Sequence, residues 1–255
     1  MKKEEERWTR KELKKYLPEF TDLYSNRPIS DNAGGMKSHH MFPAWFIVKK
    51  LQPKFLIESG VWKGLGTWFF RKASPQTKII SIDPEPSFRV HTDTEVDYKI
   101  EDFLDIDWSS IVGEDVLVFF DDHQNCMPRI KRCKELGFNK VIFEDNYPSN
   151  QGDCYTPKKI LSQNDYIIDN AGNRILKANV PEDYEFFTKS VEVYQEMPPI
   201  FKSTHTRWGD AWSGDNYNTP EPLLSKDDIL EYKTFHEERK DYTWICYMEL
   251  KSKDV

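Results

Sequence analysis

Short apolar runs in the first 150 residues end, one after another, in acids: Glu58, Asp83, Glu101-Asp102, Asp121-Asp122-His123 and Glu144-Asp145-Asn146. Parallel strands place their C-terminal ends on one edge, so Glu58, Asp83, Asp102, Asp121, Glu144 and Asp145 would then converge on one crevice. Like charges so close together disfavour ionisation. Some of these acids must therefore face hydroxyls or backbone donors, and others a cation. Asp121 with Glu144 and Asp145 offers hard oxygen ligands without a Cys or His cluster, a set that suits magnesium or calcium better than zinc.

The first of these acids opens a glycine-bearing turn. Phe55 to Ile57 reads as a strand, Gly60, Gly64 and Gly66 as a tight loop, and Thr67 to Arg71 as the start of a helix. Glycine lets a ligand approach the backbone and a helix N-terminus offers free N–H groups, so a nucleotide-like ligand would sit here. The spacing from Gly60, G-x-x-x-G-x-G, is neither the phosphate-binding loop nor the dinucleotide G-x-G-x-x-G. An acid at the tip of the second strand, Asp83, is placed to accept hydrogen bonds from a ribose diol.

The elements that must position these groups alternate along the chain. Residues 1–17 carry Trp8, Leu13, Tyr16 and Leu17 at roughly helical spacing, with Pro18 as the stop. Residues 26–40, rich in turn formers and including His39 and His40, form a loop long enough to be either a lid over a site or a surface connection. The two histidines are expected as a solvated loop feature. Met41, Trp45, Val48 and Leu51 mark an amphipathic helix. Strands follow near Phe55, Lys78–Asp83, Val96–Ile100, Asp115–Phe120 and Lys140–Phe143, with a helix over Gln124–Leu136. That alternation demands a parallel sheet with right-handed crossovers. In the second half Thr156–Leu161 and Glu182–Lys189 read as helices and Asp165–Asp169 as a short extended piece. Val191–Tyr194 is a sixth strand and Tyr242–Leu250 its closing hairpin partner, with a polar, aromatic insertion over about 198–240 between them.

The chain has 255 residues, a length that suits one α/β domain with appendages. Its 36 basic and 43 acidic residues give no basic excess that would point to nucleic acid or an anionic membrane. No long apolar run or signal core is present, so a cytoplasmic protein acting on a small-molecule or glycan acceptor is expected, a homo-oligomer being compatible. Four cysteines without a C-x-x-C pair read as reduced thiols.

The motif Glu58-Ser-Gly-Val-Trp-Lys-Gly64, the acid Asp83, Asp102 before Phe103, and the clusters Asp121-Asp122-His123 and Glu144-Asp145-Asn146 together resemble class I S-adenosylmethionine-dependent methyltransferases. Within these they are most similar to the metal-dependent O-methyltransferases of the cephalosporin-hydroxylase-like and sugar-modifying group. The resemblance covers roughly residues 40–150 and the last two strands. It implies a Rossmann-like, seven-stranded, mostly parallel sheet with helices on both faces and an antiparallel last strand. It also implies S-adenosyl-L-methionine, with Glu58, Gly60, Trp62 and Gly64 around the methionine moiety, Asp83 on the ribose, and Asp102 and Phe103 on adenine. Asp121, beside the cofactor, would with Glu144 and Asp145 bind Mg2+ or another divalent cation, which lowers the pKa of the hydroxyl to be methylated. His123 is the implied base, because an unperturbed imidazole titrates close to working pH.

Because Asp121, Asp122 and His123 are consecutive, either Asp could be the ligand, and Asp122 could instead cap the following helix. Glu144-Asp145 and Asp145-Asn146 are both acceptable as the second ligand pair, Asp145 being common to the two. Asp122, Asn146, Tyr147, Trp208 and Trp212 are candidate acceptor contacts. The two tryptophans, with Tyr217, are either core packing or a stacking platform beside Arg207, Asp210 and Asn216. Two other functions remain compatible with the pattern: a nicotinamide-dinucleotide oxidoreductase, and a non-catalytic methyltransferase-like binding module.

Overall fold

Short apolar runs buried on both faces, with three-to-four spacing between them, decide the architecture. The computed structural model describes residues 6–163, 165–168, 174–177, 181–212 and 217–252. In chain order the elements are α1 (Arg10–Ser25), α2 (Ser38–Leu51), β1 (Phe55–Ser59), α3 (Leu65–Ala73), β2 (Lys78–Ile82), β3 (Asp97–Lys99), β4 (Val116–Phe120) and α4 (Cys126–Leu136). They continue with β5 (Lys140–Phe143), α5 (Pro157–Ser162), β6 (Asp165–Ile168), β7 (Arg174–Lys177), α6 (Pro181–Ser190), β8 (Val191–Glu196), α7 (Lys233–Glu237) and β9 (Cys246–Leu250).

Seven strands form one sheet in the order β3-β2-β1-β4-β5-β9-β8, and β6 and β7 pair in a separate hairpin. β1 to β5 run parallel, while β9 lies antiparallel between β5 and β8. The expected Rossmann-like, mostly parallel sheet with an antiparallel last strand is therefore present. Strand order reverses between β1 and β4, and such a switch point opens a crevice at the strands' C-terminal ends. Alternate strand residues feed two cores. Leu56, Leu117, Phe119 and Ile142 pack with α1, α2 and α3, whereas Ile57, Val118, Phe120 and Val141 pack with α4, α5 and α6. Helices thus cover both faces.

Several local expectations are corrected. Pro18 does not stop the first helix: α1 runs to Ser25 with Pro18 inside it. Leu13, Leu17, Phe20 and Tyr24 form one buried stripe across the proline, and that burial offsets the missing backbone donor. His39 and His40 are not in a solvated loop. They lie fully buried in the first turn of α2, which starts at Ser38 because Glu238, 200 residues away, accepts its first N–H at 2.9 Å. The last strand starts at Cys246 rather than Tyr242, since Trp244 adopts φ 62° and the N–H of Thr243 is committed to His40. The β6–β7 hairpin was not expected beyond its first arm, and Asp169 lies outside the described residues. All four cysteines are buried free thiols. Among the described residues no helix is long and apolar enough to cross a membrane.

Candidate active site

Gly60 fixes how closely the two halves of the crevice approach. Its φ is 96°, and a Cβ there would lie 2.0 Å from the carbonyl oxygen of Asp121, so only glycine lets the β1 loop pass the end of β4. Asp83 then orders that loop: Oδ2 accepts the N–H of Val61 at 3.2 Å and of Trp62 at 2.9 Å, and Oδ1 accepts that of Glu85 at 2.9 Å. The acid expected on a ribose thus also shapes the loop. A cavity of about 250 Å³ opens here, bounded by Gly60, Trp62, Asp83, Asp102, Asp121 and His123 among others.

Trp62 joins this cavity to the segment before α2. Its indole N–H donates to Ala33 O at 3.0 Å, its ring stacks on Phe88 at 4.7 Å, and Gly34 and Gly35 pack against it. Lys63 ties the same segment down through Asp31 O at 2.9 Å. The loop expected as a lid or a connection is therefore part of the cavity wall.

Two other expected cofactor residues lie deeper. Glu58 is buried beneath the loop, where Oε2 accepts from Thr67 and Ser81, each at 2.6 Å, and burial pushes its carboxyl up to about 7. Phe103 is fully buried between Trp108 and Phe120 and does not line this cavity, because its position after β3 points into the α4-side core. Gly64 caps α3 with φ 87° and faces His91 O rather than the cavity. Arg129, buried on α4, joins the site with no local sequence signal to mark it. It forms a two-pronged pair with Asp102, 2.8 Å on one side, and reaches Asp122 Oδ2 at 3.3 Å through Nε. Burial raises the Asp102 carboxyl, but Arg129 and the Leu104 N–H outweigh it and hold it below its usual value. Asp122 also accepts from Ser59 at 2.8 Å, and the cap of α4 is Asn125, not Asp122.

The acidic centre lies on the next wall. Ligand atoms of Asp121, His123 and Asp145 all fall within 4.8 Å of one another. Asp145 Oδ1 accepts from Tyr147 at 2.5 Å, whereas Oδ2 is buried without a hydrogen-bond partner, 3.6 Å from His123 Nδ1. Burial, then Glu144 and Asp145, push the Asp121 carboxyl well above its usual value. An orphaned buried carboxylate oxygen among hard donors fits a divalent cation. Glu144 stands beside this trio but its Oε1 meets Nδ1 of His40. Asn146 is turned away: Nδ2 donates to Tyr194 at 2.9 Å and Oδ1 accepts from Lys158 N at 2.9 Å. Between the two expected Asp ligands the geometry groups Asp121, not Asp122, with Asp145.

His123 is not an unperturbed imidazole. The hydrogen bond to Asp153 at 3.1 Å is the largest cause of its rise to about 10, burial opposes it, and Asp145 and Asp121 add to it. These carboxylates make the ring hold its proton more tightly than the ordinary imidazole expected of a base.

His123 and Gly34 also line a second cavity, of about 300 Å³, with Tyr147, Gln151, Asp153, Arg207, Trp208 and Asp210. Trp208 is half-exposed there and meets Tyr147 edge-on at 5.1 Å. Trp212 does not join it. It is buried against Trp244 and Tyr242, so core packing is its role. Asn216 lies outside the described residues.

No protein-family model and no curated protein matches the chain's sequence. Among solved structures it is similar to CmcI with Mg and SAM, at 18% identity and a TM-score of 0.36, over 47% of this chain and 58% of that one. It is similar to the SAH-bound Podospora anserina methyltransferase PaMTH1 at 13% identity and a TM-score of 0.38, over 56% and 65%. The O-methyltransferase TomG from Streptomyces achromogenes, in complex with SAM, gives 16%, a TM-score of 0.36, and 52% and 74%. The chain thus spans little more than half the length of CmcI. PaMTH1 is a methyltransferase and TomG an O-methyltransferase, and the likeness of this chain to them is one of fold alone.

Proposed function

We propose that the chain is an S-adenosylmethionine-dependent O-methyltransferase that uses a divalent cation, magnesium in the first instance, and acts on a hydroxyl of a saccharide or glycosylated small molecule. One observation carries the reading: the cavity at the strand-order reversal and the cavity under Trp208 share His123 and Gly34, with Asp121 and Asp145 beside that junction. A donor seated in the first and an acceptor in the second would meet there, which is the arrangement that an in-line group transfer needs.

In this reading Trp62, Asp83 and Asp102 bound the adenosyl donor, whose sulfonium supplies an electrophilic methyl carbon. Asp121 and Asp145 would hold the cation, with Glu144 beside them, and the bound ion would supply Lewis-acid polarisation that lowers the pKa of an acceptor oxygen. His123, facing both cavities, orients the reacting hydroxyl. The proton would leave to that imidazole, which Asp153 holds at Nδ1, once a cation offsets the charge of Asp121 and Asp145. Trp208 offers a flat apolar face, while Arg207, Asp210 and Gln151 offer charged and amide partners for sugar hydroxyls. Gln151 Nε2 already donates to Asp210 at 2.7 Å, and its buried Oε1 has no hydrogen-bond partner.

The test is transfer of labelled methyl from S-adenosylmethionine to a panel of mono- and oligosaccharides. Labelled product is expected with Mg2+, and none in EDTA or with Asp145→Ala. Labelling that persists in EDTA, or in that variant, contradicts the reading.

A further inference from the structure

A third cavity, of about 390 Å³, lies between residues 148–150, the C-terminal turn of α5, β8 and residues 217–218. Asn150 lines both this cavity and the one under Trp208, so the two abut. Their partition is thin: the Tyr217 hydroxyl of the third cavity is 3.3 Å from Gln151 Nε2 of its neighbour.

The floor is an ion pair. Lys158 Nζ meets Glu196 Oε2, with the two side chains 11% and 8% exposed, and Lys158 also donates to Asn218 O at 3.1 Å. An ammonium has three N–H donors, and these contacts use two. Glu196 Oε1 is buried without a hydrogen-bond partner. A buried carboxylate oxygen left unpaired is costly, so a ligand that supplies a donor gains on binding. The floor therefore presents a donor and an acceptor side by side. A hydroxyl, which donates and accepts at once, satisfies both. An anion would meet Glu196 and a cation Lys158, so the pair selects a neutral ligand. Ser149, Tyr194 and Asn150 add hydroxyl and amide groups on the walls.

We propose that this cavity is a second sugar subsite, which holds the unit next to the one that is methylated, so that the acceptor is at least two sugar units long. The proposal rests on the saccharide reading of the cavity under Trp208. Ser162, exposed at the end of α5, lines this cavity and not its neighbour, so Ser162→Trp would fill it and leave the other open.

The experiment is calorimetry on the full chain saturated with S-adenosylhomocysteine and Mg2+, with cellobiose, maltose and lactose against methyl glucoside and methyl galactoside. At least one disaccharide is expected to bind tenfold or more tighter than its monosaccharides. Ser162→Trp, and separately Glu196→Gln, should erase that gain and leave monosaccharide and S-adenosylhomocysteine affinities unchanged. Monosaccharide binding with no gain for any disaccharide, or a gain that survives both substitutions, overturns the second subsite alone. Absence of any saccharide binding overturns it together with the saccharide reading.

Discussion

His40 Nδ1 faces Glu144 Oε1 while the N–H of Thr243 donates to its Nε2 at 2.5 Å, so one buried imidazole ties α2 to the end of β5 and to the approach to β9. The backbone donor fixes the tautomer: Nε2 is the acceptor and Nδ1 carries the hydrogen towards the carboxyl. Burial, with Asp145 opposing it, lowers the ring to about 3, so it is neutral at any physiological pH. His40→Ala leaves Glu144 and Thr243 N–H both buried without this partner. At about 1–3 kcal/mol for each orphaned group, plus a cavity, the variant is expected to lose roughly 3–5 kcal/mol in urea denaturation. A loss below about 1 kcal/mol would mean that the ring holds nothing together.

Arg129 is the counterpart on the other wall. It is the charged partner of Asp102 and Asp122, at the ends of the third and fourth strands. Arg129→Met removes it from beneath the donor cavity and keeps most of the side-chain volume. Affinity for S-adenosylhomocysteine should fall tenfold or more, about 1.4 kcal/mol, while binding of divalent cation is unchanged. Equal donor affinity in the variant would show that the position of Asp102 does not matter to the ligand.

Much of this frame is legible in the sequence. The runs that became β1, β2, β4 and β5 are short, apolar and acid-terminated, and a parallel sheet buried on both faces leaves no other use for them. The residues that pair across the fold are not legible, because their partners are remote. Arg129 and Asp102 are 27 residues apart, His40 and Glu144 are 104 apart, and Ser38 and Glu238 are 200 apart. Phe103 and Trp212 failed as ligand contacts for a related reason. An aromatic residue beside a strand end or in a polar insertion points into the core or out of it according to packing that no local pattern records.

Glu58 makes stability depend on pH. Its carboxyl is pushed up to about 7 from 4.5, first by burial, with Ser81 and Thr67 pulling it back. The folded chain therefore binds that proton more tightly than the unfolded chain does. The stabilisation is fully present below pH 4.5 and is lost as pH rises through 7. It amounts to at most about 3 kcal/mol. Glu58→Gln should flatten the fall in unfolding free energy between pH 5 and 8 relative to the parent. Parallel curves for the two proteins would place the proton elsewhere, since other buried acids contribute equally to both.

The crevice beside Gly60 is expected to take an adenosyl methyl donor. Calorimetric titration of the full chain in EDTA with S-adenosylhomocysteine, and then with NAD+, tests it most directly. Micromolar binding of S-adenosylhomocysteine, about 8 kcal/mol, is expected, with NAD+ at least a hundredfold weaker. Binding of NAD+ at equal or higher affinity, or no binding of S-adenosylhomocysteine, would contradict it.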